Sequence, residues 1–210
     1  METTRRAAGL GLLAYGLLTS IAFTGIGSPG GDYEDKTIVS YMSSGHWAGA
    51  MVIAYLGAFA SLGLLVFASR MRHELRSGGS VLWGLAVAGT AAGVVGWFLV
   101  GGISVSFAEG GSALSTLPHP VVYLVSEMSN LIAVCASAFF VGAAALVVAA
   151  KAALPRSLRI ASYVAGVCGL FAAFFFPIFL FWLWAIAFGG WMIATGERRP
   201  VVPEVQPELV

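Results

Sequence analysis

A stretch without a single charged side chain decides the fold of this chain: residues 160–195 read IASYVAGVCGLFAAFFFPIFLFWLWAIAFGGWMIAT. One α-helix over these 36 residues would be about 54 Å long, whereas the hydrocarbon core of a membrane is about 30 Å thick. The stretch must therefore fold back on itself. Pro177 is its strongest helix breaker, and it disfavours a helical conformation at Phe176. We expect spans five and six on either side of Pro177; the alternative is five spans plus a re-entrant segment near Pro177.

Four further apolar runs precede this stretch, and each is long enough to cross a membrane. They cover residues 7–27, 47–69, 81–103 and 121–150. Hydrophobic residues make up 59% of the chain and charged residues 10%, against about 25% in soluble domains. The sequence therefore predicts an all-α, polytopic transmembrane helix bundle of six spans. We expect one domain over residues 1–196 and a cytoplasmic tail over residues 197–210.

The basic residues predict the orientation of the bundle. Ten of the eleven lysines and arginines lie before the first span, after the second, after the fourth or after the last; they are Arg5, Arg6, Arg70, Arg72, Arg76, Lys151, Arg156, Arg159, Arg198 and Arg199. Cytoplasmic segments of membrane proteins carry this excess. We therefore expect both termini inside, the loops 28–45 and 104–120 outside, and a multi-pass protein of the plasma membrane. The first run also has features of a secretory signal peptide, but its length and the lack of a clear A-x-A site favour a span.

Small residues predict where the helices pack. In span three, Ala88, Ala92 and Gly96 recur at four-residue spacing, and Gly89 and Gly93 form a second pair. Span five carries a comparable row, which consists of Ala161, Ala165 and Gly169. Membrane helices gain stability mainly from close van der Waals contact, which small side chains permit. We expect these rows to be buried against neighbouring helices.

Glu127 is the one carboxylate inside a predicted span. It stands about 10 Å along the helix from the outer end of span four. Tyr123 and Asn130 share its helical face, because they lie four residues before it and three residues after it. Ionisable groups inside a membrane are functional hypotheses by default, so the three residues form a candidate site for a proton, a cation or a ligand headgroup. The structural alternative is a neutral or hydrogen-bonded Glu127 that joins span four to a neighbour.

Histidines and cysteines supply weaker candidates. His46 and His119 flank the outer ends of spans two and four, where they could bind a metal with Glu127 or ligate haem as a pair; the alternative is that both are interfacial residues. Cys135 and Cys168 form no CxxC pair and are expected to be packing residues. Motifs of zinc proteases, serine hydrolases and phosphate-binding loops are missing from the sequence. We expect no cofactor and no catalytic residue.

Residues 154–167, LPRSLRIASYVAGV, resemble a recurring piece of a family of six-span bacterial membrane proteins, frequent in actinobacteria, whose function is unknown. In that family a Leu-Pro-Arg turn on the cytoplasmic side leads into the fifth span. Residues 41–46, which enter span two, and the basic turn ending in Leu75 and Arg76 are also similar to it. The resemblance implies a six-helix bundle, and it implies no catalytic residues.

Three functions agree with these features. The first is a non-enzymatic bundle with an accessory, sensory or partner-binding role, surrounded by membrane lipid and associated with another protein or with further copies of itself. The second is a small transporter that uses Glu127 as its coupling or substrate-contacting residue. The third, less favoured, is an intramembrane haem or metal protein or enzyme that uses His46 and His119. A net charge of +1 argues against nucleic acid as a partner.

Overall fold

A computed structural model describes residues 4–25, 46–75, 77–114, 118–174 and 176–196 of the chain. These residues form six α-helices and one short 3-10 turn, with no strand among them. The helices are α1 Arg5–Gly25, α2 His46–Glu74, α3 Gly79–Leu114, α4 His119–Lys151, α5 Arg156–Leu170 and α6 Phe176–Thr195. The 3-10 turn, Ala172–Phe174, lies between α5 and α6. The described part of the chain is therefore all-helical.

Five of the helices contain segments long and apolar enough to cross a membrane. These segments are Arg5–Gly25, Trp47–Glu74, Gly79–Gly110, Pro120–Lys151 and Pro177–Thr195. The exception is α5, whose 15 residues extend over about 22 Å, which is less than the roughly 30 Å of the hydrocarbon core. Five such helices in one chain mark a multi-pass membrane protein.

Each helix packs mainly against its neighbours in sequence, and α1 closes the arrangement by contacting both α2 and α6. Neighbouring helices are antiparallel: Gly11 near the start of α1 meets Gly63 in the second half of α2, and Gly9 meets Gly189 near the end of α6. The largest fully buried side chains fill the space between the helices; they include Leu12, Tyr15, Leu64, Trp97, Phe181 and Phe188.

Glycines bring α1 into direct backbone contact with both of its neighbours. A Cβ added at Gly9 would lie 2.6 Å from the carbonyl oxygen of Gly189, and one added at Gly11 would lie 2.5 Å from that of Gly63. On the other side of the bundle, a Cβ at Gly142 of α4 would lie 2.8 Å from Cα of Gly169 in α5. Such distances leave no room for a side chain, so these glycines are required for the helix spacing.

The break between the last two helices lies where the sequence predicts it. Helix α5 ends at Leu170, and α6 begins at Phe176, with Pro177 in its first turn. Proline is tolerated there because the first backbone N–H groups of a helix have no partner within the helix. The chain therefore folds back just before Pro177, and Phe176 is the first residue of a helix rather than part of the turn.

The predicted loop over residues 104–120 is wrong up to residue 114, because α3 continues to Leu114. Two serines in this part donate hydrogen bonds to the carbonyl oxygens four residues earlier, Ser104 to Val100 at 3.0 Å and Ser106 to Gly102 at 2.8 Å. Serine hydroxyls satisfied in this way do not interrupt a helix. The predicted loop 28–45 and the predicted tail 197–210 lie outside the described residues.

Candidate functional site

A chain of hydrogen bonds joins three helices in the centre of the bundle. The hydroxyl oxygens of Tyr15 on α1 and Ser137 on α4 are 3.0 Å apart, and Ser137 donates to the carbonyl oxygen of Gly89 on α3 at 3.0 Å. A serine hydroxyl has one proton. Because Ser137 uses it toward Gly89, the Tyr15 hydroxyl must be the donor to Ser137. The order is therefore Tyr15 to Ser137 to the Gly89 carbonyl.

Two more hydroxyls extend this site to α2. Ser61 donates to the carbonyl oxygen of Gly57 at 2.9 Å, and Thr90 of α3 donates to the backbone carbonyl of Ser61 at 3.1 Å. Gly93 lies between the two serines: a Cβ added there would contact the Ser61 hydroxyl and would lie 3.2 Å from that of Ser137. We call Tyr15, Ser61, Thr90 and Ser137 the central polar cluster.

The central polar cluster is buried. Its residues expose 2% (Tyr15), 0% (Ser61), 6% (Thr90) and 2% (Ser137) of their surfaces. A buried hydroxyl without a partner costs about 1–3 kcal/mol, so these hydrogen bonds remove a penalty and hold four helices in register. The cluster contains hydroxyls and backbone carbonyls but no carboxylate, imidazole or thiolate. It is suited to fixing helix positions and not to acid–base chemistry.

A second, smaller connection links α5 to α6. The indole N–H of Trp184 donates to the hydroxyl of Ser162 at 3.0 Å, and Ser162 donates to the Leu158 carbonyl at 2.8 Å. Ser162 is fully buried and Trp184 is 5% exposed. The short helix α5 is thus attached to α6 by a specific polar contact.

The Glu127 candidate site lies in the first half of α4. Glu127 and Tyr123 are half-buried there, whereas the neighbouring Met128 is 51% exposed. Two buried serines flank Glu127, and Ser129 donates to the Ser126 carbonyl at 2.7 Å. The Asn130 backbone belongs to α4, but its side chain lies outside the described part. The carboxyl is therefore at the edge of the α4 face that packs inward.

Potential metal ligands do not converge in the described part of the chain. No group of three histidine, cysteine, aspartate or glutamate side chains that could hold a metal occurs there. His46 and His119 are the first residues of α2 and α4, and their side chains are not among those described. Cys135 on α4 and Cys168 on α5 are free thiols and half-buried.

The predicted packing rows are rotated relative to the observed contact faces. On α3, Gly89, Gly93 and Gly96 are buried, whereas Ala88 and Ala92 are half-buried.

On α5, Ala165 and Gly169 are buried, but Ala161 is exposed, so the prediction for Ala161 is wrong. The buried positions of α5 are Ser162, Ala165, Gly166 and Gly169. A strict four-residue row drifts by about 40° per step around a helix, and its end therefore leaves the contact face.

Sequence reasoning missed the central polar cluster altogether. The available signal was a set of hydroxyl residues, such as Tyr15 and Ser137, within otherwise apolar runs. Nothing in the sequence indicates which of them meet.

Comparisons with known protein families, with curated proteins and with solved structures find no match. Three features of the described residues bear on function. They are the central polar cluster, the Glu127 region and the exposed surface of the helices.

Proposed function

We propose that this protein is a non-enzymatic membrane bundle that binds another membrane protein through its lipid-facing surface. In this proposal the chain has six spans, lies in the plasma membrane and keeps both termini in the cytoplasm. The distribution of lysine and arginine supports the orientation. Helix α5 packs antiparallel along α4, which supports a fifth crossing. In that crossing the 3-10 turn extends the short helix toward the outside of the membrane.

The observation that carries the proposal is the chemistry of the bundle centre. Four helices meet there at hydroxyls whose protons all go to each other or to backbone carbonyls. Around them, glycine contacts bring backbones too close for a side chain to fit between them. A transport path needs polar groups that can exchange partners with a substrate, and these hydroxyls are already committed to the fold. We therefore favour recognition of a partner at the lipid-facing surface of the bundle.

One part of that surface has the features of a binding face. Tyr55 and Phe59 on α2 and Phe98 on α3 expose 48%, 66% and 40% of their surfaces. The ring centroids of Tyr55 and Phe98 are 5.1 Å apart in an edge-to-face arrangement, and those of Tyr55 and Phe59 are 6.3 Å apart. We call these three residues the aromatic face. Its rings are held in place before any partner arrives, which lowers the entropy lost on binding.

The depth of Tyr55 favours a protein partner over lipid. Tyr55 lies eight residues, or about 12 Å, along α2 from Trp47. Trp47 is a residue type that suits the interface belt. At that depth lipid tails offer no acceptor for a tyrosine hydroxyl. A transmembrane helix of another protein can supply one from a side chain or a backbone carbonyl. We therefore propose such a helix as the occupant of the aromatic face.

Site-specific photocrosslinking in intact membranes tests this proposal. A photoreactive residue replaces Phe59, and a matched control replaces Leu183 of α6, which is similarly exposed at 62%. We expect a discrete protein adduct from position 59 and none from position 183. Protein adducts of equal yield from both positions, or lipid adducts alone at position 59, would contradict the proposal.

The second candidate function is transport coupled to Glu127. The observation in its favour is a carboxyl residue within a span, half-buried and flanked by the buried Ser126 and Ser129. Glu127→Gln keeps the shape and the hydrogen-bonding capacity but cannot ionise. If Glu127 couples proton movement, proteoliposomes with the wild-type chain should dissipate a pH gradient and those with Glu127→Gln should not, at equal thermal stability. Equal leakage of both, at the rate of empty liposomes, would leave the first proposal favoured.

The family resemblance of residues 154–167 and the haem or metal role of His46 and His119 remain predictions. The resemblance adds a six-span layout to the proposal and no site residue. Metal analysis of the purified chain tests the second prediction, and stoichiometric haem or metal that is lost in His46→Ala and His119→Ala would support it.

A further inference from the structure

A hydrogen bond joins two neighbouring side chains at the end of α2. Nε of Arg72 donates to Nε2 of His73 at 3.2 Å, and both residues lie in the last turn of the helix. An arginine guanidinium carries only donors and stays charged, so the imidazole nitrogen must be the acceptor. Nε2 accepts only when the ring is neutral and its hydrogen is on Nδ1. The observed arrangement therefore belongs to the unprotonated form of His73.

The same guanidinium also contacts the next helix. Its carbon lies 5.0 Å from the ring centroid of Trp83 near the start of α3, within the range of about 6 Å in which a cation is attracted to an aromatic ring. The backbones are close here as well, since a Cβ added at Gly79 would lie 2.6 Å from the carbonyl oxygen of Arg72. Arg72 therefore connects the end of α2 to the start of α3 across a tight turn, and His73 holds its side chain in that position.

Protonation of His73 reverses the hydrogen bond that holds Arg72. Nε2 then carries a hydrogen and becomes a donor, so it cannot accept from Arg72. Two positive charges also repel each other across the 3.2 Å that separate the two nitrogens. Both side chains are exposed, so water can replace the lost bond and the guanidinium can turn away from Trp83. Histidine is the side chain that gains its proton between about pH 8 and pH 5.

The charges around His73 come from several helices. The described ones at this end are Arg5 and Arg6 on α1, Arg70, Arg72 and Glu74 on α2, Lys151 on α4, and Arg156 and Arg159 on α5. Glu74 accepts a hydrogen bond from Arg70 at 3.1 Å, and residues 79–108 of α3 carry no charge. Further charged residues of this end, which are Glu2, Arg76 and those of the tail 197–210, lie outside the described residues. Release of Arg72 does not depend on this balance, because a protonated Nε2 is a donor whatever charges surround it.

A second arginine–tryptophan pair at this end serves as a comparison. The guanidinium carbon of Arg5 lies 4.5 Å from the ring centroid of Trp191, and its Nε has no hydrogen-bond partner among the described residues. The contact of Arg72 with Trp83 differs because a histidine holds the arginine. We infer that His73 is a proton-operated switch, which holds Arg72 on Trp83 when neutral and releases it when protonated. In the proposed orientation the switch responds to cytoplasmic pH, and it is independent of the protein partner.

Fluorine NMR of the full-length chain labelled with fluorotryptophan tests the inference. The resonances lost in Trp83→Phe and in Trp191→Phe assign the two rings. Between about pH 8 and pH 5.5 we expect the Trp83 resonance to shift in a single step and the Trp191 resonance to stay in place. In His73→Gln the amide oxygen still accepts from Arg72 but gains no proton, so the Trp83 resonance should keep its high-pH position. His73→Lys carries a charge and no acceptor, and it should keep the low-pH position throughout.

Two more variants make the test decisive. His119→Gln removes a different histidine and should titrate like the wild type. Arg72→Gln removes the cation, so the Trp83 resonance should no longer respond to pH, and circular dichroism should show the wild-type helix content for each variant. A Trp83 resonance that does not move, or that moves equally in His73→Gln, would overturn the inference. An equal shift of Trp191 would show a general response of this end of the bundle and would overturn it too.

Discussion

The side-chain hydroxyls of Tyr15 and Ser137 lie 3.0 Å apart, although 122 positions separate the two residues in the sequence. The contact joins the first helix to the fourth, across the centre of the bundle. Because Ser137 in turn donates to Gly89, a single pair of side chains sets the positions of α1, α3 and α4 relative to each other. The contribution of this contact to stability therefore tests how the three helices pack.

Tyr15→Phe should lower the free energy of unfolding by about 0.5–1.5 kcal/mol, because it removes one hydrogen bond while the ring keeps its contact with Phe181. The control is Tyr163→Phe on the exposed face of α5, where the side chain is 44% exposed. Unfolding in mild detergent, followed by helical circular dichroism, provides the measurement. Equal stability of Tyr15→Phe and Tyr163→Phe would show that the hydroxyl contact is unimportant.

Glycine substitutions separate contact positions from open ones. Gly63→Ala places a methyl group against the backbone oxygen of Gly11 and should destabilise the bundle by about 1–3 kcal/mol. Gly84→Ala is the matched control, since nothing lies within 4 Å of its added Cβ. Alanine favours a helix over glycine, so the control should be neutral or slightly stabilising. Equal effects of the two substitutions on the melting temperature would contradict the close contact between Gly63 and Gly11.

The orientation of the contact face of α5 gives a third prediction. Gly169→Leu should be strongly destabilising, because an added Cβ would already lie 2.7 Å from the Ala138 carbonyl oxygen and 2.7 Å from Cα of Gly142. Ala161→Leu should be tolerated, because Ala161 is exposed and lies about 80° around the helix from Gly169. The melting temperatures of the two purified variants check this. A larger drop in melting temperature for Ala161→Leu than for Gly169→Leu would contradict the observed contact face and support the row that the sequence alone predicts.

Single-cysteine labelling checks the orientation of the chain. In a background with Cys135→Ala and Cys168→Ala, cysteines introduced at Ser77 and Ser157 should react with a membrane-impermeant maleimide after cell lysis but not in intact cells. Both positions are exposed at the end of the bundle that carries the arginine excess. Labelling of either position in intact cells would invert the proposed topology.

The sequence predicts the helices well because the signal for them is local. The charge-free stretch 160–195 is too long for one crossing, and its break near Pro177 follows from the geometry of proline. The end of α3 could not be predicted in this way. Glu109 and a Gly-Gly-Ser stretch indicate a loop, whereas serines at positions 104 and 106 satisfy their hydroxyls inside a helix.

The central polar cluster could not be predicted, for a different reason. Tyr15, Ser61, Thr90 and Ser137 come from four separate helices, and their meeting depends on the rotation of each helix about its own axis. Small residues indicate that a helix has a close neighbour but determine its rotation poorly. The exposed Ala161 beside the buried Ser162 illustrates this, because a shift of one residue turns the helix by about 100°.

If the aromatic face on α2 and α3 binds a partner in the membrane, the mass of the extracted complex must include that partner. The complex is extracted in mild detergent and weighed by mass photometry for the wild type, Phe59→Ala and Leu183→Ala. We expect the wild type and Leu183→Ala to carry the same additional mass, and Phe59→Ala to lose it while its melting temperature stays unchanged. Retention of the additional mass by Phe59→Ala, or a wild-type chain that carries none, would show that the aromatic face binds no partner.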